Sequence, residues 1–448
     1  MRIRNRMRAL YLQPAPLFGG AERQAATCAA LLPRCGVEVV PVVGPGLAII
    51  EWLRERGVRE VVHTGAFPGG WRKQRGLARL TLPFRYLTCG TRLRALVSSL
   101  VGSREIGVIV ASLPFAWIVG TLVARRRGIP IVWRAGGARI NAVQAIALWL
   151  VTRFLRPDLL LCTGEAVRRT FGPLVPASVR VVPNGVDTER FRPGAGNAER
   201  YRPPGARWVI GYAARLTTGK RPKDFLQLAA RLQERFPGAH FLLAGDGSER
   251  RKLEEYARKA GAETVTFLGF VSDMPSFYAA CDIVVLPSQA EGCPNFVLEA
   301  MGMGSAIVAA EVAPVLELVQ HEREALTFPV GDLSQLEQRV TRLLQDPEER
   351  AVFGRRAREK ALQFTCQENA QLIAATLRDL AAQGERRRAR VPAADRLRGG
   401  LEAAAPFSPW PTVHSANSRI LASDLPDTGC TRNSDLPIDS SRASGSGA

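Results

Sequence analysis

The sequence predicts an α/β protein built on two parallel, doubly wound sheets, and three observations lead to this prediction. Short strands rich in β-branched residues alternate with amphipathic helices along most of the chain, as in parallel sheets covered by helices on both faces. A chain of 448 residues is too long for one hydrophobic core. A Pro-, Gly- and Arg-rich patch at 191–207 separates two such alternating series, as an interdomain linker does.

The first series contains six predicted strands, each followed by a loop or a helix. MRALYLQ begins it, and VEVVPVV, GVIVAS, PIVWR, DLLLCT and VRVVPNG follow. Each is a short run of β-branched and other apolar residues, which is typical of buried strands. We assign residues 1–190 to an N-terminal domain and residues 191–207 to the linker.

The second series runs from WVIGYAA to about Pro329 and is followed by further helices. We assign residues 208–365 to a C-terminal domain and residues 366–383 to a C-terminal helix. Beyond this helix the periodicity collapses into an arginine run and a stretch rich in Pro, Ser, Asp and Ala. Such a segment cannot bury enough surface to offset the entropy of ordering, so we predict that 384–448 is disordered.

The composition indicates a globular protein, with 46% hydrophobic and 23% charged residues. The eight cysteines include no C-x-x-C pair, and most lie in apolar runs. This pattern indicates buried thiols in a reducing cytoplasm rather than disulfides or zinc ligands. The four histidines have no partner at metal-ligand spacing.

Almost all of the net charge of +20 lies in the N-terminal half. Residues 1–192 hold 29 Lys/Arg and 10 Asp/Glu, whereas residues 193–380 hold 23 and 24. Within the basic half, residues 71–97 interleave arginine with leucine and aromatic residues. This pattern favours an anionic membrane surface as a partner. A solvated arginine-rich face is the alternative; nucleic acid is not predicted, because no recognised nucleic-acid module occurs in the sequence.

Residues 106–124 carry no charge and precede three arginines, so a transmembrane helix is one interpretation. The other is a strand, GVIVAS, and a helix, PFAWIVGTLVARRRG, joined by a turn at Ser112-Leu113-Pro114. We favour the strand–turn–helix unit. The basic N-terminus leads into a strand rather than a long apolar core, so we predict no signal peptide.

The stretch DIVVLPSQAEGCPNFVLEAM at 282–301 says most about function. A buried strand is followed by a turn and by a helix that Pro294 is expected to open as its first residue. Glu291 lies in the turn and Glu299 lies in the helix, on either side of the helix N-terminus. Backbone N–H groups there suit phosphate, and carboxylates accept hydrogen bonds from sugar hydroxyls. Solvent-exposed surface roles for both glutamates are the alternative.

Two cations precede this stretch in the same kind of position. VIGYAARLTTGKRPKDF is a strand followed by Arg215 and Lys220 ahead of a helix, and a Gly-Asp-Gly turn follows the next strand. Together with NGVD at Asn184–Asp187 and GGAER at Gly19–Arg23, this order resembles glycosyltransferase family 4, retaining enzymes of the GT-B fold. The resemblance covers roughly residues 7–380. It implies two Rossmann-like doubly wound domains that face a central cleft.

The resemblance also implies roles for individual residues. Arg215 and Lys220 would hold the diphosphate of a nucleotide-sugar donor, in place of a metal bound by a D-x-D motif, which this sequence lacks. Glu291 would bind the donor sugar and complete the catalytic set, while Glu299 would bind the ribose. No metal and no other cofactor is expected. The remaining predicted donor contacts are Gly19 and Gly20, the base pocket Gly269, Phe270 and Val271, and the helix start Asn295, Phe296 and Val297.

Two positions depart from the family pattern. Many relatives have a histidine after the strand that corresponds to PIVW, and here Arg134 stands there as a possible acceptor or phosphate contact. Relatives commonly carry a Gly-Gly pair where this chain has Ala313-Pro314 ahead of Glu317. That change alters a loop near the donor sugar, so the sugar is not predicted.

We therefore predict a retaining glycosyltransferase of cell-surface polysaccharide or glycolipid synthesis. The C-terminal domain would bind the donor, and the basic N-terminal domain would bind a glycan or lipid-linked saccharide acceptor. The enzyme would be cytoplasmic and peripheral on the inner face of the plasma membrane. The alternatives are another reaction at the same site, such as sugar-nucleotide epimerisation, and a catalytically silent scaffold subunit.

Overall fold

The computed structural model describes residues 7–14, 20–44, 47–58, 60–67, 82–137 and 140–390. Predictions that fall on Gly19, on 71–81 and on 391–448 lie outside the described residues.

The N-terminal sheet is parallel throughout, with the strand order β3-β2-β1-β4-β5-β6-β7. Its strands are β1 (Met7–Gln13), β2 (Val37–Val43), β3 (Val62–His63), β4 (Ile106–Ser112), β5 (Ile131–Ala135), β6 (Leu159–Cys162) and β7 (Ser178–Val181). Its helices are α1 (Gly20–Leu31), α2 (Leu47–Glu55), α3 (Leu82–Ser103), α4 (Pro114–Arg127), α5 (Ala142–Phe154) and α6 (Glu165–Phe171). All six predicted strands are present. The two-residue β3 was missed because it is too short to show a period.

The C-terminal sheet is also parallel, with the strand order β10-β9-β8-β11-β12-β13. Its strands are β8 (Trp208–Ala213), β9 (Ala239–Ala244), β10 (Val265–Gly269), β11 (Ile283–Leu286), β12 (Ala306–Ala310) and β13 (Leu326–Phe328). The helices are α7 (Pro222–Leu232), α8 (Arg250–Lys259), α9 (Met274–Ala280), α10 (Asn295–Met303), α11 (Ala313–Leu316), α12 (Leu333–Gln345), α13 (Pro347–Ala361) and α14 (Cys366–Arg390).

Both sheets reverse their strand order once, between β1 and β4 and between β8 and β11. At such a point the connections diverge to opposite sides and leave a crevice at the carboxyl ends of the two strands, where ligands bind in this class of fold. The fully apolar strands, such as β11 with all four residues buried, read as continuous hydrophobic runs because helices cover both faces. The predicted architecture of two doubly wound domains is confirmed.

The last helix, α14, packs against the N-terminal domain. Its buried residues Ile373, Ala374 and Leu377 join the core that contains the β1 and β2 side chains. The helix continues to Arg390, so the predicted end at residue 383 is wrong. The boundary was missed because GERRRAR has helix-forming residues without an apolar stripe.

The predicted linker at 191–207 packs against the C-terminal domain and is not a free connection between the two domains. Phe191 is buried, and the backbone N–H of Asn197 donates to Ser276 Oγ at 2.8 Å. Arg202 lies 3.1 Å from Asp282. Asn197 and Arg202 make these contacts from positions that follow neither a helical nor a strand period. The sequence pattern therefore indicated only a loop.

The uncharged segment 106–124 divides into β4 and the first part of α4, as the strand–turn–helix interpretation predicts. Among the helices that the structure describes, none combines the length and the apolar character that a membrane crossing requires.

Candidate active site

The three predicted catalytic residues lie on loops at the switch point of the C-terminal sheet. Arg215 and Lys220 follow β8, and Glu291 follows β11, its neighbour in the sheet. The loop after β9 closes beside them at Gly245, whose φ of +126° and close approach to the Ala214 carbonyl exclude a side chain. Two loops that are distant in sequence are therefore brought together by the strand order alone.

Lys220 and Glu291 form an ion pair at the centre of this site. The Lys220 amine lies 2.6 Å from Glu291 Oε1, and the Glu291 side chain is only 10% exposed. The same amine lies 3.4 Å from the carbonyl oxygen of Ala290, and the Tyr212 hydroxyl donates to the Lys220 carbonyl at 3.1 Å. The cation is thus held from both its backbone and its side chain. Arg215 is exposed on the same loop.

Glu299 lies on α10 and points into the space between the two domains. The Tyr278 hydroxyl donates to Glu299 Oε2 at 3.1 Å and also lies 3.1 Å from the Phe296 carbonyl. Burial raises the pKa of Glu299, while the positive charges of Arg23 and Arg190 and the Tyr278 hydroxyl oppose that rise. A carboxylate in this setting accepts hydrogen bonds from a pair of neighbouring hydroxyls.

Arg23 is a site residue that sequence reasoning missed. It lies on α1 of the N-terminal domain, and its guanidinium is 3.7 Å from Glu299 Oε1 on the C-terminal domain. The two side chains share a cavity of about 50 Å³ with Asp187, Arg190 and Asn295. The signal was present in the motif GGAER, but only its glycines were given a role.

Arg134, at the carboxyl end of β5, connects the N-terminal domain to the start of α10. It donates to Asn184 Oδ1 at 3.4 Å, and the Asn184 amide donates to Asn295 Oδ1 at 2.8 Å. Arg134 also hydrogen-bonds the hydroxyl of Tyr11, whose pKa burial raises. Arg134 therefore reaches the start of α10 through Asn184, and its role as an acceptor or phosphate contact stays a prediction.

The start of α10 differs by one residue from the prediction. Pro294 is the N-cap rather than the first helical residue, and the Val297 N–H donates to its carbonyl at 3.0 Å. The side chain of Val297 is fully buried. A donor contact through the amides near Asn295–Val297 stays a prediction. Phe296 is partly buried, with its ring 5.5 Å from that of Tyr278.

The other predicted donor contacts occupy two separate places. Gly20 is the first residue of α1 and Gly19 lies outside the described residues. Gly269 ends β10 with a φ of +67° and accepts a hydrogen bond from the Gly245 N–H at 2.6 Å. Next to it Phe270 is 60% exposed, whereas Val271 is buried. The exposed ring is suited to stacking on a planar base.

Glu317 joins the two domains on the other side of the cleft. Its carboxylate accepts the backbone N–H groups of Glu165, at 2.8 Å, and of Ala166, at 2.5 Å, at the start of α6. A carboxylate at a helix N-terminus accepts hydrogen bonds from N–H groups that have no partner within the helix, and its negative charge interacts favourably with the positive end of the helix dipole. Glu317 follows the unusual Ala313-Pro314 pair, and nothing in the sequence indicated its partner 152 residues away.

Two family models match the chain. The model "Glycosyltransferase Family 4" matches residues 18–190, and the model "Glycosyl transferases group 1" matches residues 197–360. Together they cover both domains, and the predicted family is confirmed.

Curated relatives are glycosyltransferases by name. A D-inositol 3-phosphate glycosyltransferase of Saccharomonospora viridis is 35% identical over 204 residues, which are 42% of this chain and 47% of that protein. The putative glycosyltransferase EpsD of Bacillus subtilis is 27% identical over 60% of this chain and 75% of its own. The 2-deoxystreptamine glucosyltransferase of Streptomyces kanamyceticus is 25% identical over 66% of this chain and 87% of its own. The chain thus spans about half of the first of these relatives.

Solved structures share the fold. The HepE protein of Anabaena in complex with UDP-glucose has a TM-score of 0.70 and 23% identity, over 83% of this chain and all of its own. Sucrose-phosphate synthase of Thermosynechococcus elongatus has a TM-score of 0.70 and 17% identity, over 84% of this chain and all of its own. The GT-B prediction is confirmed by this likeness and by the two sheets.

Proposed function

This chain belongs to glycosyltransferase family 4, and from that premise we propose that it transfers a sugar from a nucleotide-sugar donor with retention of anomeric configuration. The acceptor is a glycan or a lipid-linked saccharide, and the reaction serves cell-surface polysaccharide or glycolipid synthesis. The enzyme works on the cytoplasmic face of the membrane as a peripheral protein and uses no metal.

The observation that carries the donor proposal is the Lys220–Glu291 pair at the switch point, with Arg215 on the same loop. When a glycosidic bond to a nucleoside diphosphate breaks, negative charge accumulates on the leaving diphosphate. Fixed cations that face this charge lower the barrier because their interaction is stronger in the transition state than in the ground state. Lys220 and Arg215 perform this role, and Glu291 accepts from the sugar hydroxyls.

The second carboxylate has a different task. Glu299 is held by Tyr278 on its own domain and approached by Arg23 from the other, at 3.1 and 3.7 Å. The vicinal hydroxyls of a ribose satisfy its two oxygens, and Phe270 stacks on the base. Because Arg23 belongs to the N-terminal domain, donor binding at Glu299 is sensitive to closure of the two domains.

The acceptor proposal is supported by charge. The N-terminal half carries an excess of 19 positive charges, whereas residues 193–380 carry an excess of one negative charge. An acceptor that bears phosphate, or lies in an anionic bilayer, is attracted to the first half and not to the second.

A donor screen tests the proposal. The protein is heated with each of a panel of nucleotide sugars, and the cognate donor raises its melting temperature because it binds only the folded state. Slow hydrolysis of that donor, followed by NMR, reports the anomer of the released sugar. A silent scaffold hydrolyses none of the donors, an epimerase converts the sugar without releasing it, and an inverted product contradicts retention.

A further inference from the structure

Helix α5 carries an apolar stripe on its solvent side. Val143, Ile146, Leu150 and Phe154 recur at a spacing of three or four residues, which places them on one face. The α5 face consists of these four residues and Trp149, and their exposed fractions are 76, 60, 50, 77 and 45% in the order Val143, Ile146, Leu150, Phe154, Trp149. A contiguous apolar surface of this kind on a folded domain marks an interaction site.

The opposite side of α5 packs on the N-terminal domain, so the apolar stripe is not the side of the helix that belongs to the core. Leu148 and Val151 pack on the N-terminal core, and the Thr152 hydroxyl donates to the Leu174 carbonyl at 2.9 Å. Asn141 and Gln144 form a reciprocal capping box that sets where the helix begins. The orientation of the helix is therefore determined by its inner contacts.

The surroundings of the stripe are basic. The sequence between Glu105 and Asp158 contains no carboxylate. The Arg153 guanidinium lies 4.7 Å from the Trp149 ring, and Arg125 on α4 donates to the Phe154 carbonyl. Arg126 and Arg127, which follow Arg125 on α4, and Arg156, which follows the end of α5, are also exposed.

Helix α3 adds apolar surface on the same side of the sheet. Its inner residues Leu93 and Val97 belong to the same core cluster as those of α4 and α5, while Phe84 and Leu87 are exposed. Both residues lie within 82–97, the part of the basic, aromatic segment 71–97 that the structure describes.

We propose that the α5 face is the membrane-docking surface of this protein and that its occupant is the headgroup region of a bilayer containing anionic lipid. Apolar side chains enter the interface while the surrounding arginines bind lipid phosphates, and neither term alone gives stable attachment. The inference rests on the proposed function for its acceptor. Gly136, five residues ahead of the α5 N-cap Asn141, packs its backbone on Gly292, which is next to Glu291. Docking through α5 thus brings the mouth of the cleft to the lipid surface.

Vesicle sedimentation of the full chain tests the proposal. The wild type should pellet with phosphatidylcholine vesicles that contain phosphatidylglycerol and remain in solution with phosphatidylcholine alone. The double variant Ile146→Gln/Leu150→Gln should bind at least about tenfold more weakly, as loss of a little over 1.4 kcal/mol implies. The control Leu362→Gln/Leu372→Gln removes residues that are 49 and 56% exposed on the C-terminal side of the chain, and it should bind like the wild type.

Two further readouts separate the bilayer from other occupants. Trp149 emission should shift to the blue on adding anionic vesicles, and Trp149→Phe should lose most of that shift. Equal pelleting of the α5 double variant and the wild type would overturn the proposal. A wild-type dimer in lipid-free solution that the α5 variant converts to monomer overturns it in favour of a second copy. If vesicle binding appears only after removal of 391–448, the proposal is overturned, because that segment would then be the occupant of the α5 face in the full chain.

Failure of the docking surface is distinguishable from failure of the proposed function. Without vesicles, the α5 double variant should hydrolyse the donor at the wild-type rate, because its substitutions lie outside the donor site. A chain that pellets with anionic vesicles but hydrolyses no donor contradicts the proposed function and supports docking.

Discussion

The amine of Lys220 lies 2.6 Å from Glu291 Oε1, so the two side chains form an ion pair. The family resemblance assigns them to different parts of the donor, Lys220 to the diphosphate and Glu291 to the sugar. Because Glu291 is mostly buried, it relies on this cation for charge compensation. Removing either partner therefore alters the environment of the other, and their effects on activity are expected not to add.

The first prediction concerns this coupling. Lys220→Ala should lower turnover by at least about two orders of magnitude, the scale of losing one transition-state donor. The double variant Lys220→Ala/Glu291→Gln should be little worse than the more damaging single variant. Donor hydrolysis under saturating donor measures both. Lys223→Ala, three residues away on α7, is the matched control and should retain activity; simple additivity of the two losses contradicts a shared role.

The second prediction concerns Arg215 and the absence of a metal requirement. Arg215→Ala should also lose at least about two orders of magnitude in turnover. Activity of the wild type should persist in EDTA, because side-chain cations hold the diphosphate. Arg251→Ala, which removes an arginine side chain that is 91% exposed on α8, serves as control. An active Arg215→Ala enzyme, or strict dependence on magnesium, rules out the proposed clamp.

The third prediction separates the two carboxylates. Glu299→Gln should mainly weaken donor binding, whereas Glu291→Gln should mainly lower turnover, because the ribose is remote from the bond that breaks and the sugar is not. Calorimetric titration of the donor and single-turnover hydrolysis measure the two quantities separately. Glu359→Gln, on the exposed side of α13, is a control for loss of charge. Negligible effects of both substitutions would return the glutamates to the role of solvent-exposed surface residues.

The fourth prediction concerns the pH dependence of stability, and it follows from the raised pKa of Glu299. Burial raises its pKa in the folded state above its ordinary value of 4.5. The folded protein then holds the proton more tightly than the unfolded chain, so the Glu299 contribution to the free energy of unfolding falls as pH rises from the unfolded pKa through the folded one. Glu299→Gln lacks this fall. The stability of the variant relative to the wild type should increase across that window in urea denaturation, and a decrease contradicts the assigned direction.

The sequence predicted the strands and the loops that carry Lys220, Arg215 and Glu291 because each depends on local patterns. β-branched runs, turn residues and charged positions after a strand are all visible within a few residues. The switch point then brings the loops together through strand order. The exact helix start at Pro294 was wrong by one position, since a proline fits both the N-cap and the first helical residue.

The contacts of Arg23 and Glu317 could not be predicted in the same way. Each joins one domain to the other, to Glu299 and to the start of α6 respectively. Such a pair depends on how the two sheets face each other, which no pattern in a single segment records. The folding of 191–207 onto the C-terminal domain was missed for a different reason, because its contacts with Ser276 and Asp282 are polar and join residues far apart in sequence.

The fifth prediction concerns the link between the domains through Glu317. Glu317→Ala removes the acceptor of two N–H groups at the start of α6 and should cost about 1 kcal/mol of stability, the usual value of a lost helix cap. Hydrogen exchange of the Glu165 and Ala166 amides should accelerate, and donor affinity should fall because closure over the site weakens. Glu359→Gln should change none of these three quantities. Unchanged exchange at these two amides would show that the contact is not formed in solution.

The last prediction concerns the C-terminus, where the helix and the segment after it should behave oppositely. Leu377 on α14 is fully buried against the N-terminal domain, so Leu377→Ala should cost about 2–5 kcal/mol through lost burial and the cavity left behind. Leu372→Ala, on the exposed side of the same helix, should cost far less. Deletion of 391–448 should leave the melting temperature and donor hydrolysis unchanged, since a segment without periodic apolar positions adds little to a core. A large drop in melting temperature after that deletion contradicts the prediction of disorder, and a harmless Leu377→Ala contradicts a structural role for α14 in joining the domains.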